Sequence, residues 1–168
     1  IRNCFVIAIA MLCVFFTNAQ TVRYPVQSSK VLQSTAGDVA MLLQKALPGS
    51  QFTSASYTIL PQSGFIFIYD STINGSQACR VESDGAGFIK FSAAEDNGLC
   101  FGIYQYFQQL GFRFYLPGSI WEKIPVLSNP YKKIDSIYRF TFTYNGWYLS
   151  GGHNCWVMDN DNNNGWES

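Results

Sequence analysis

Histidine is nearly missing from this 168-residue chain: His153 stands alone. That rules out a multi-histidine metal site and leaves no basis for a histidine-dependent catalytic triad. Charge is also scarce. Eleven cations balance eleven anions, and no cationic cluster falls on any face, so the footprint of a nucleic-acid partner is absent. No C-x-x-C pair occurs among the cysteines, which removes the common zinc and thiol-redox motifs. No apolar run approaches the roughly twenty residues needed to span a bilayer. An initiating methionine is lacking too, since the first residue is Ile1, and the sequence is expected to begin inside a reading frame.

What the N-terminus does contain is a short apolar run, Cys4 to Phe16, behind one early cation, Arg2. Thr17-Asn18-Ala19 follows, with small residues at both positions a signal peptidase reads. The run is too short for an anchor and has no cationic flank on its far side, so residues 1–19 are expected to be a signal peptide cleaved after Ala19. The product would be secreted or periplasmic, with no membrane association after cleavage. Removal leaves roughly 150 residues, enough for one ordinary domain with a modest core. Aromatics are abundant, with 14 Phe, 10 Tyr and 4 Trp, more than such a core needs, which points to an interface or a sugar-stacking surface. Of the cysteines that remain, Cys79 and Cys100 fall on a predicted strand and a predicted helix, and free thiols are expected over a bridge.

Along the mature chain, Thr35-Ala36-Gly37-Asp38 has the form of a capping box and predicts a helix start. Val39, Leu42, Leu43, Ala46 and Leu47 then recur at helical spacing until Pro48-Gly49 stops them. Ser56 to Leu60 and Gly64 to Asp70 read as strands, and the apolar run Phe65 to Tyr69 marks the second as central. Cys79 to Glu82 and Phe88 to Phe91 alternate around Asp84-Gly85, predicting a hairpin with a charged outer face. Ser92 to Glu95 repeats the capping-box pattern, opening a helix that runs through Leu110 and stops at Gly111. Its buried stripe would be Leu99, Ile103, Tyr106, Phe107 and Leu110. Gly98 and Gly102, four residues apart, clear a neighbouring strip on which the backbone can approach a sheet. Phe112 to Tyr115 is a short strand, turned away by Leu116-Pro117-Gly118.

Three segments then stand out together: Gly87-Phe88-Ile89-Lys90-Phe91, Gly98-Leu99-Cys100-Phe101-Gly102-Ile103-Tyr104, and Leu110-Gly111-Phe112-Arg113-Phe114-Tyr115-Leu116-Pro117-Gly118. In order and spacing they resemble the N-terminal α+β domain that precedes the catalytic barrel in β-hexosaminidases, α-glucuronidases and related secreted glycoside hydrolases. Phe114 departs from the tryptophan often found there but keeps an aromatic. The resemblance covers about residues 22 to 132, with the motifs in the second half. It implies that the paired carboxylates that cleave glycosidic bonds belong to a following barrel. Tyr138 to Tyr144 alternates and looks like the first strand of that barrel.

The candidate site residues are few. Trp147 and His153 lie just past that strand, where barrel enzymes carry substrate-binding groups, and the resemblance implies a sugar contact for either; a loop histidine without a role is the plainer reading. Asp159 to Gly165 has the look of a calcium loop, but its register puts Asn160, Asn162 and Asn164 on the ligand positions and no bidentate glutamate follows. A solvated loop before a helix starting near Trp166 is expected instead. Glu82, Asp84, Glu95 and Asp96 all have local structural jobs in the hairpin or helix cap. Trp121, Trp147, Trp156 and Trp166 suit either a sugar face or a domain seam, and Asn74-Gly75-Ser76 matches a glycosylation acceptor.

The expected fold is therefore α+β, a mixed sheet with two helices packed on one face, followed by the truncated start of a (β/α) barrel. The division is a signal peptide at 1–19, the α+β domain at 20–132, and a linker with the barrel start at 133–168. The expected function is that of a non-catalytic accessory domain of an exported glycoside hydrolase, with the downstream barrel as partner and no cofactor or metal. A stand-alone carbohydrate-binding or adhesion module is the alternative.

Overall fold

The computed structural model describes residues 19–75, 77–115, 119–139, 155–157 and 165–167. The chain runs β1 (Ala19–Pro25), α1 (Lys30–Ala46), β2 (Gln51–Tyr57), β3 (Gly64–Tyr69), β4 (Ala78–Ser83), β5 (Phe88–Ala93) and α2 (Asp96–Gln109). Then come β6 (Arg113–Phe114), a 3-10 turn (Ser119–Trp121), β7 (Glu122–Lys123) and β8 (Ile134–Arg139), with β9 (Cys155–Val157) and β10 (Gly165–Glu167) last. Six strands form one sheet in the order β2-β1-β3-β5-β4-β8. Its first four strands are parallel neighbours, and β4 is antiparallel to both β5 and β8. The mixed sheet and the two helices are as the sequence implies.

Alternation explains how the layers meet. Phe65 and Phe67 of β3, Cys79 and Val81 of β4, and Ile89 and Phe91 of β5 point into one cluster with Leu32, Val39 and Leu43 of α1 and Leu99, Ile103 and Tyr106 of α2. Rings pack in sequence across it, with Phe91 6.3 Å from Phe65, 5.8 Å from Phe67 and 5.7 Å edge-on from Tyr106. The other face carries the charges expected of the hairpin: Glu82 accepts from Lys90 and Arg80, and Arg80 also makes a two-pronged contact with Asp135. β3 is central as expected, flanked in parallel by β1 and β5.

The two glycines of α2 do what their spacing suggests. A β-carbon at Gly98 would stand 2.5 Å from the Ala78 carbonyl oxygen and 2.8 Å from the Ala93 β-carbon; one at Gly102 would stand 2.2 Å from the Cys79 sulfur. The helix is seated against the backbones of β4 and the end of β5, closer than any side chain allows. Gly111 ends the helix region at φ 101°, and Phe112 follows it back into the core, stacked 4.6 Å from Phe107.

Several boundaries differ from the sequence reading. α1 begins at Lys30, not at Thr35. Ser29 is its cap, accepting from the Leu32 amide, and Thr35 is buried one turn further in with its hydroxyl 3.3 Å from the Cys100 sulfur. A short hydroxyl amino acid can cap or pack, and here its distance from the polar end of the helix decides. The second capping box also fails: Ser92 and Ala93 belong to β5, and the cap, Glu95, makes no side-chain bond. β2 lies earlier than the expected Ser56 to Leu60, because Gln51–Tyr57 pairs throughout with β1, a strand the sequence reading left out. Trp166 begins no helix. It lies in β10, paired antiparallel with β9 and opposite Trp156. β6 is a strand as expected, but it forms a separate ribbon with β7. β8 pairs with β4, so the sheet extends past the boundary expected at 132; Tyr138 and Arg139, the first residues of the expected barrel strand, pair there with Cys79 and Ala78, and the rest of that strand, from 140, lies outside the described residues.

Candidate functional site

Chemistry-bearing side chains gather in three places. The first is the carboxyl edge of the parallel strands, where open α/β sheets commonly hold ligands. Tyr69 ends β3 and donates to Asp96 at the start of α2. Burial, and then that carboxylate, push the phenol up to about 12. Asp70 beside it accepts from the amide and hydroxyl of Thr72, which hold its carboxyl below the ordinary carboxylate range. Ser28 caps the turn after β1 by donating to the Pro25 carbonyl. Each of these groups is engaged in closing a loop or a helix end.

The second place joins elements far apart in sequence. Asp38 of α1 and Glu122 of β7 come close enough to interact, and Asp38 is raised above its usual range by burial first and by the Glu122 charge second. Tyr104 of α2 feels both carboxylates, with burial pushing it up to about 12. Lys45 lies 4.0 Å from Glu122 and offsets its charge. Sequence reasoning missed this pair because its members belong to different elements, and Asp38 had been read as the carboxylate of a capping box. Asp38 is exposed, and half-exposed Lys45, on the same helix as Asp38, lies beside Glu122.

The third is the outer face of the β6–β7 ribbon. Arg113 pairs with Lys123, and the next residues on the same face, Tyr115 and Trp121, are joined by the Tyr115 amide donating to the Trp121 carbonyl at 3.2 Å. Tyr115 is 62% exposed and Trp121 45%. Arg113 folds back to donate to the Gln108 and Phe112 carbonyls, closing the end of α2. Inward, Phe114 packs edge-on to Tyr104 at 5.5 Å.

Cys79 and Cys100 are free thiols, as expected. Cys79 is buried, its thiol pushed up to about 12 by that burial; Cys100 is half-buried and also raised by burial. Neither has the electropositive surroundings of a reactive cysteine. No group of three or more potential metal ligands is found among the described residues. Trp147 and His153, the residues expected to contact sugar, lie outside the described residues. Asn74 is exposed and its carbonyl accepts from Arg139, while Ser76 of the same acceptor motif lies outside the description. No described helix is long and apolar enough to cross a membrane. No family model matches the chain, and no curated protein matches it.

Proposed function

We propose that the chain is the accessory α+β domain of an exported glycan-cleaving hydrolase, placed ahead of a catalytic barrel and supplying no catalytic group of its own. The observation that carries this reading is the use made of the motif residues. Gly98, Gly102, Gly111 and Phe112, on which the likeness to such domains rests, are spent on seating α2 and turning it back into the core. A domain whose most distinctive residues hold a helix to a sheet is built as a support. The described carboxylates are consistent with that role. Asp84 accepts from its own hairpin amides, Asp135 and Glu82 pair with Arg80, and Asp96 receives the Tyr69 hydroxyl. In this reading Trp147 and His153 would contribute sugar contacts at the junction with the barrel, and residues 1–19 would direct export.

The test is turnover. The chain from Gln20 to Ser168, incubated with a panel of aryl glycosides, is expected to release no phenol above background. Release that survives repurification and disappears on unfolding would overturn the assignment.

A second reading, a carbohydrate-binding module, is favoured by the exposed Tyr115 and Trp121 beside Arg113 and Lys123 on the ribbon. Aromatic rings supply a stacking platform for sugar, and the cations would select acidic sugars. Titration with neutral and uronate oligosaccharides, followed by tryptophan fluorescence, separates the two. Saturable binding lost in Trp121→Ala would favour the module.

A further inference from the structure

We propose that β2 is a docking edge on which a second copy of this chain adds its own β2, strand to strand. The two edges of the sheet are built differently. β8 carries Asp135 and Arg139, and Asp135 is locked to Arg80 by contacts of 3.1 and 3.2 Å. Charges of this kind keep an incoming strand away. β2 at the opposite edge reads Gln-Phe-Thr-Ser-Ala-Ser-Tyr, with no charge and no proline. Its seven residues pair with β1 in unbroken register from Gln51 to Tyr57, without a bulge. Its outer backbone groups are therefore evenly spaced, and no strand lies beyond it among the described residues. Thr53, Ser54 and Ser56 are exposed.

The surroundings of the strand favour an occupant. A groove of about 470 Å³ runs between β2 and α1, lined by Ala40, Met41, Gln44, Phe52 and Ser54 among others, with Lys45, which pairs with Glu122, as its one charged residue. Met41 is 48% exposed along it. Just past the strand, Ile59 and Leu60 are 85% and 49% exposed.

Self-pairing is the occupant these features fit. An antiparallel two-fold centred on Ser54 sets Phe52 opposite Ser56 and Gln51 opposite Tyr57 of the second copy. No like charges meet within the strand. Ile59 and Leu60 would run on past the partner's exposed Pro48-Gly49 turn, covering apolar surface on both sides. Without residues 1–19, whose one charged residue is Arg2, the eleven anions exceed the remaining cations by one, which leaves little overall repulsion between copies. An edge pairing is small beside a standard interface, so the dimer is expected to be weak, with a Kd in the micromolar range. The inference is independent of any role in glycan cleavage.

The experiment is sedimentation velocity on the purified exported chain across a concentration series. The expected result is a reversible shift from monomer to dimer. Ser54→Lys and Ser54→Glu each place like charges face to face at the two-fold and should remain monomeric, with unchanged circular dichroism. An equimolar mixture of the two variants should dimerise at least as well as the parent chain. The proposal fails if the parent stays monomeric throughout, including the case in which it instead binds unrelated extended peptides. It fails equally if either variant dimerises like the parent, if the mixture does not restore association, or if open-ended aggregation persists in both variants.

Discussion

Glycine-to-alanine substitution at two helical positions should move stability in opposite directions, and the structure says why. In a helix interior alanine is favoured over glycine by about 1 kcal/mol. At Gly37, on α1, an added β-carbon meets nothing within 4 Å, so that preference is delivered in full. Gly37→Ala is expected to stabilise the fold by about 0.5–1 kcal/mol. At Gly98, on α2, the same carbon would stand 2.5 Å from the Ala78 carbonyl oxygen and 2.8 Å from the Ala93 β-carbon. Neither neighbour can rotate aside, because one is backbone and the other a methyl fixed on a strand. Relief requires the helix to lift by roughly an ångström, which loosens Leu99, Ile103 and Tyr106, all fully buried. Overpacking of this kind typically costs about 1–3 kcal/mol, and a rigid backbone contact belongs at the upper end. After the propensity gain, a net loss of about 2 kcal/mol is expected for Gly98→Ala. Urea unfolding of both variants beside the parent, followed by circular dichroism, measures the difference. Should Gly98→Ala match Gly37→Ala in sign, α2 is not seated on the sheet backbone and the packing account is wrong.

Other expectations follow from the same core. In Tyr106→Phe the Pro130 carbonyl and the Lys132 amide, both 2.7 Å from the phenol oxygen, lose their partner, and an unfolding loss of about 1–3 kcal/mol is expected by denaturant titration. Gly102→Ala should be destabilising because of the Cys79 sulfur at 2.2 Å, and Cys79→Gly, which removes both that sulfur and the β-carbon at 2.6 Å, should lessen the penalty in a double-mutant cycle. Cys79, buried and pushed up to about 12, should resist alkylation at neutral pH until the fold opens, read by mass spectrometry of its peptide. Tyr69, Tyr104, Tyr106 and Tyr131 are all pushed up to about 12 from 10.0, chiefly by burial. Their unfolded forms release protons first, so the stability they support is complete below about pH 10 and declines as pH rises through 12, visible as phenolate absorbance appearing together with unfolding.

The parts of the fold that could be read from sequence are those governed by side-chain period and by glycine. Phe65 to Tyr69 is apolar at consecutive positions because β3 has parallel neighbours on both sides, with Ile66 buried on the face away from the helices. The hairpin alternates because one of its faces meets Arg80, Glu82 and Lys90 at the surface. Gly98 and Gly102 announced a close approach that only their missing β-carbons permit. What escaped was whatever depends on partners distant in the chain. β1 follows closely on the apolar run Cys4 to Phe16, and its pattern, Ala-Gln-Thr-Val-Arg-Tyr-Pro, has few buried positions to mark it; its identity as a strand comes from the register with β2 and β3.

The failed helix starts and the missed carboxylate couple share a cause, and it bears on how function is assigned to such a chain. Thr35 and Ser92 each had the residue chemistry of a cap, but tertiary packing gave one to the contact with Cys100 and the other to β5. Asp38 was read as a capping carboxylate and Glu122 stood in no motif, and folding brought the two within electrostatic reach. Local motifs therefore report reliably on backbone geometry, where one residue's freedom decides the outcome. They report poorly on polar side chains, whose role is set by whichever distant element arrives beside them. A catalytic claim for this chain would have to rest on such an arrival. Asp70 and Asp84 arrive at backbone amides, Glu82 and Asp135 at lysine or arginine, and Asp96 at a tyrosine hydroxyl, while Glu122 is shared between Asp38 and Lys45. The supporting role is the proposal, and turnover by the chain in the aryl-glycoside assay would refute it.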